Sequence, residues 1–217
     1  RCSRDWSSDV CSSDLQTYRG TQITLDATLA TPDGAGPFPV AVLLHGCSGL
    51  DRYSQRRSNA WAALLQARGY ATLTLDSLTG RGLTDVCNGG PLNGRERAGD
   101  VLAAGLALAD QPDLDIAHLV VMGFSHGAWG TLHTLAANEP TLAAARQRFA
   151  DRGGSLAGGI ALYPPCRDTE RQNFVAPLLV LIGRNDDWTP AAACEALAAA
   201  PRPRSEEHTS ELQSRLH

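Results

Sequence analysis

The chain has 217 residues, a formal net charge of −4, 43% hydrophobic residues and only 6% aromatic ones. That length supports one α/β domain with a sizeable core, and the acidic balance argues against nucleic acid or an anionic membrane surface as the main partner. No run of about 18 apolar residues is present, so no transmembrane helix is expected.

Both ends stand apart. Residues 4–15 read RDWSSDVCSSDL and residues 204–215 read RSEEHTSELQSR. One codon choice for the first gives a reverse complement that translates as the second, and both resemble a translated sequencing-library adapter. The expectation is therefore an adapter-derived segment over 1–15, a domain over 16–203 that is cut short at its C-terminus, and a second adapter-derived segment over 204–217.

Within the domain, residues 16–31 alternate polar and apolar side chains, as half-buried antiparallel strands do. A turn over 32–37 leads to PVAVLLH (39–45), a continuously apolar run of the kind found in central parallel strands. A helix over 58–68 follows, with Trp61, Leu64 and Leu65 at helical spacing and Gly69 at its end. Next come a strand at 70–75, a helix at 95–110, a strand at 119–122 and a helix at about 126–138. Strands at 159–163 and 178–182 and a helix at 190–200 complete the pattern. Such alternation predicts one α/β domain, a mostly parallel sheet with helices on both faces. Reactive groups then belong at the carboxyl ends of the strands.

Three strand ends carry chemistry. Gly123-Phe124-Ser125-His126-Gly127 matches G-x-S-x-G directly between a strand and a helix. Glycines flank the serine there because the turn is too tight for neighbouring side chains, and it lifts the hydroxyl toward helix N–H groups. Ser125 is the candidate nucleophile. His45-Gly46-Cys47-Ser48-Gly49 follows the first apolar strand, so the backbone amides of Cys47 and His126 are the candidate oxyanion donors. The His45 ring is expected to brace its loop rather than act as base, and His126 points the wrong way to take the serine proton. Gly183-Arg184-Asn185-Asp186-Asp187-Trp188-Thr189-Pro190 supplies the candidate acid, Asp186, with Asp187 as the alternative acid or a helix cap. Trp188 is a candidate wall of the substrate pocket. Arg81 or Arg95, in the loop over 78–97, could meet an acidic substrate or simply be solvated.

PVAVLLHGCSGL, YATLTLDSLTGRG, LVVMGFSHGAW and LLVLIGRNDDWTP, in this order, resemble the dienelactone hydrolase branch of the α/β-hydrolase superfamily across 16–203. The resemblance implies the three-layer α/β-hydrolase fold and a serine hydrolase acting on an ester, lactone or other acyl substrate. Dienelactone hydrolases proper use a cysteine nucleophile, so Ser125 favours a generic acyl substrate. The family's chain order places the catalytic histidine after the acid, beyond one further strand. His208 and His217 fall in the adapter-derived segment, so the last strand, the closing helix and the base are expected to be missing and this chain to be inactive. The alternatives are a prolyl oligopeptidase-like peptidase and a non-catalytic binding protein of the same fold.

Cys47, Cys87, Cys166 and Cys194 lie at the same end of neighbouring strands, so the pairs Cys47–Cys87 and Cys166–Cys194 are expected, with four reduced thiols as the alternative. Disulfides would imply a periplasmic or secreted protein, free thiols a cytoplasmic one. The patterns that mark metal sites and nucleotide-binding loops are absent, so neither metal nor cofactor is expected.

Overall fold

The computed structural model describes residues 2–3, 9–18, 21–167, 169 and 173–200, with side chains from Ile23 onward. Its strands are β1 (Cys2–Ser3), β2 (Asp9–Tyr18), β3 (Thr21–Ala30), β4 (Phe38–Leu44), β5 (Ala71–Asp76), β6 (Leu114–Phe124), β7 (Leu156–Leu162) and β8 (Leu178–Leu181). The helices are α1 (Arg52–Gln66), α2 (Gly94–Leu108), α3 (His126–Leu135), α4 (Ala143–Asp151) and α5 (Ala191–Ala199). All the strands join one sheet in the order β1-β2-β3-β5-β4-β6-β7-β8. β1, β2 and β3 run antiparallel, as does the β3–β5 pair, and β5, β4, β6, β7 and β8 are mutually parallel.

The apolar run of β4 explains its central place. Val40 to Leu44 are all buried because both faces are covered. Val42 and Leu44 join Val121, Leu102 and Leu132 in the larger core, on the side of α2 and α3. Leu43 points the other way and packs with Met122, Phe124 and Ala62 of α1. Alternation at period two thus serves two separate cores, giving the layered α/β architecture that the sequence pattern predicts.

Two helices differ from expectation. α1 begins six residues before its predicted start, where the Asp51 carboxylate accepts the Ser54 N–H at 2.7 Å. Its buried face is Ser54, Ser58 and Ala62, small residues that hydrophobic spacing does not reveal. α4 is not predicted at all. Phe149 is its buried residue, and the ring fills the space left by Gly105 and Gly154.

The backbone of residues 9–15, read from sequence as adapter-derived, belongs to β2 and pairs with β3. Residues 201–217, including His208 and His217, lie outside the described residues. β8 is the sheet edge on that side among the described residues.

Candidate active site

Leu44 of β4 pairs with Gly123 of β6, so the loops leaving these two strands emerge side by side. Ser125 occupies the corner between β6 and α3 with φ 53° and ψ −115°. This conformation costs of order 1–3 kcal/mol for a residue with a Cβ, and such strain concentrates at functional positions. The surroundings hold it in place. Its N–H donates to the Leu162 carbonyl at 2.9 Å, and its own carbonyl accepts the Trp129 N–H at 3.0 Å. The flanking glycines are required by space: a Cβ at Gly123 would collide with the Gly127 carbonyl, and one at Gly127 with the Leu44 and His45 carbonyls.

A cleft of about 260 Å³ opens at this corner, bordered by Ser125, His126, Cys47, Trp129, Arg167 and Trp188 among others. His126 begins α3, and a first-turn N–H has no carbonyl inside the helix to receive it. Cys47 borders the same cleft, on the loop after β4, and the Val86 N–H anchors that loop by donating to the Cys47 carbonyl at 2.9 Å. Both expected disulfides are formed, Cys47–Cys87 with Cα atoms 4.8 Å apart and Cys166–Cys194 at 5.0 Å. The first ties the candidate oxyanion loop to the segment that forms the opposite rim. Trp188 is 71% exposed at the cleft mouth.

Asp186 is half-buried, and its Oδ1 accepts the Trp188 and Thr189 N–H groups at 3.0 and 2.7 Å. These hydrogen bonds, Thr189 first, hold its carboxyl below the usual range. The helix-capping alternative for Asp187 is not observed. α5 starts after Pro190 without a side-chain cap, and it is Asp186 that secures the turn before it.

The two histidines of the site are locked as neutral rings. His45 is fully buried. Its Nδ1 lies 2.7 Å from the Gly46 carbonyl and so must donate; its Nε2 accepts the Ser77 N–H at 3.1 Å. The expected bracing role is what the geometry provides. Burial, then the nearby Arg97 charge, pushes its pKa down to about 3. His126 donates from Nε2 to the Leu92 carbonyl at 3.1 Å, while Nδ1 faces the Arg97 guanidinium at 3.4 Å. Burial and Arg97 lower it to about 4. Elsewhere among the described residues, His118 pairs with Asp115 and His133 with Glu139. No described histidine is positioned to take the Ser125 proton.

The depressed histidines have a consequence for stability. Each is neutral when folded but protonated below about pH 6.5 when unfolded, so the stability is complete above that pH. It is lost as pH falls toward about 4 and 3, with a limiting slope of about 1.4 kcal/mol per pH unit for each proton. Urea unfolding of the parent and of His45→Asn at pH 7.5 and 5.0 checks this. The parent is expected to lose more stability than the variant on acidification, and equal losses would exclude His45 as a source.

Arg81 and Arg95 do not face the cleft as free cations. Arg81 forms a two-pronged pair with buried Asp100 at 2.7 and 2.9 Å, and Arg95 Nε donates to Glu139 at 2.9 Å. The guanidinium that does border the cleft is Arg167, stacked 4.9 Å above the Trp129 ring. Sequence reasoning missed it because nothing along the chain marks its proximity to Ser125.

The dienelactone hydrolase family model matches residues 25–212. No match was found among curated protein sequences. Among solved structures, an α/β serine hydrolase without a lid from Xanthomonas campestris is 18% identical with a TM-score of 0.59, covering 88% of this chain and 78% of its own. A cold-adapted esterase from an Arctic intertidal metagenomic library is 14% identical with a TM-score of 0.62, covering 98% and 87%. At such identities the likeness establishes the fold alone.

Proposed function

Because this chain belongs to the dienelactone hydrolase family of α/β hydrolases, we propose that it cleaves an ester, lactone or other small acyl substrate through an acyl-enzyme on Ser125. The observation that carries this reading is the strained corner at φ 53°, which opens into a cleft shared with Cys47 and His126. In this mechanism the Ser125 hydroxyl attacks the substrate carbonyl. The Cys47 and His126 amides receive the developing oxyanion, each donor contributing roughly 3–4 kcal/mol to the transition state. The leaving alcohol departs and water then releases the acid. Asp186 is the carboxylate that orients the general base, a histidine supplied from outside the described residues. Trp188 and Trp129 wall the acyl space. Two disulfides suit an oxidising compartment, so the protein is read as periplasmic or secreted. No described helix is long and apolar enough to cross a membrane.

Without a general base a serine hydroxyl keeps the weak nucleophilicity of an alcohol. A triad stripped of one member typically keeps only about 10³–10⁴-fold catalysis over water, so the reading depends on that base. A fluorophosphonate probe with peptide mass mapping tests the assignment. The expected adduct lies on Ser125 and is absent from Ser125→Ala. Short p-nitrophenyl esters should be cleaved and anilides not. A folded protein that never labels would make the cleft a binding site.

A further inference from the structure

Arg97 is the largest fully buried side chain and lies in the first turns of α2. It does not line the cleft. Its Nη2 donates to the His45 carbonyl at 3.0 Å, and its Nη1 lies 3.4 Å from His126 Nδ1. These acceptors belong to the two loops that carry the candidate oxyanion amides: His45 stands two residues before Cys47, and His126 owns the other amide. The His45 carbonyl is also the group against which Gly127 of α3 is packed. One guanidinium therefore spans the seam where the two loops meet.

No carboxylate lies within ion-pair distance of Arg97 among the described residues. Glu96 beside it accepts the Asn93 N–H, and Asp100, one turn on, is engaged with Arg81. Burying a guanidinium against two neutral acceptors is costly, and Asp100 and Asp76 offset this only through space, without a hydrogen bond to it. We propose that Arg97 is a positioning residue that sets the separation of the Cys47 and His126 amides and keeps the His126 ring in its Nε2–H form. The planar fork suits this task, because its two outward N–H groups reach two acceptors in fixed geometry. This inference rests on the proposed serine-hydrolase reading.

Arg97→Met and Arg97→Lys are the test, each checked for folding by circular dichroism. Relative to the parent, Arg97→Met is expected to slow fluorophosphonate labelling of Ser125 by ten- to a hundredfold, in the bond-forming rate constant rather than in probe affinity. Arg97→Lys, which keeps charge but not the fork, should be slowed at least threefold and serves if the methionine variant does not fold. The His126 ring, faced by Arg97, Arg167 and Trp129, gives a second readout by ¹⁵N NMR. Its protonation midpoint should move upward in Arg97→Met, and the Cys47 amide should exchange faster. Parental labelling rates in either folded variant would overturn the proposal. If the parent itself never labels Ser125, the hydrolase reading fails separately, and an unmoved His126 titration with unchanged Cys47 exchange then decides against Arg97.

Discussion

Replacing Asp100 by alanine is expected to destabilise the fold by about 3–5 kcal/mol, the usual cost of stripping one partner from a buried ion pair. Its carboxylate is wholly buried and accepts both outer Arg81 nitrogens, at 2.7 and 2.9 Å. Burial pushes the Asp100 carboxyl up, and Arg81 with Ser77 pulls it back. Without it two guanidiniums remain under the site, since the Arg97 charge also feels Asp100. Arg81 further donates to the Ser77 carbonyl at 2.6 Å, and the Ser77 N–H holds the His45 ring, so damage should spread to the loop after β4. Urea denaturation at pH 7.5 measures the loss. The double variant Arg81→Met, Asp100→Leu is expected to recover part of it, because apolar residues of similar volume can replace a buried pair at little net cost. A loss under about 1 kcal/mol in Asp100→Ala would mean that water or another anion reaches this pair.

Gly127→Ala is the second large effect, at about 3 kcal/mol. A methyl group there meets the Leu44 carbonyl, at the end of β4, and the His45 carbonyl, which is held by Arg97 Nη2 at 3.0 Å. Overpacking typically costs 1–3 kcal/mol, and a rigid neighbour places this site at the upper end. Gly46→Ala is the comparison within the same pair of loops. Its added Cβ would sit 3.7 Å from the nearest atom, the Phe124 carbonyl oxygen, which is ordinary contact. Thermal unfolding should separate the two, with Gly127→Ala lower in Tm by roughly 6–12 °C and Gly46→Ala within a few degrees of the parent. Similar melting points would show that α3 can slide away from β4.

The succession of strands and helices and the strained serine were legible because each leaves a mark on consecutive residues. A strand covered on both faces needs a run like PVAVLLH, and a corner this tight needs glycine on both sides of Ser125. βαβ order brings the loops of the four cysteines to one end of the sheet, which made the two pairs expected while four reduced thiols stayed the alternative. What escaped depends on partners distant in sequence. Arg97 reads as one more solvated arginine until His45 and His126, 52 and 29 residues away, fold against it. Arg81 and Arg95 were open candidates for substrate contact until Asp100 and Glu139 claimed them. The early turns of α1 were invisible because their core-facing residues are serines.

The link between Cys47 and Cys87 joins two tasks in one residue. Cys47 borders the cleft, and its sulfur bonds Cys87, which borders it too. An engineer who strips cysteines to ease bacterial expression would thus alter the shape of the cleft mouth along with the thiol count. Redesigning that wall calls for a fresh packing contact between the two segments, introduced in the same step as the substitution.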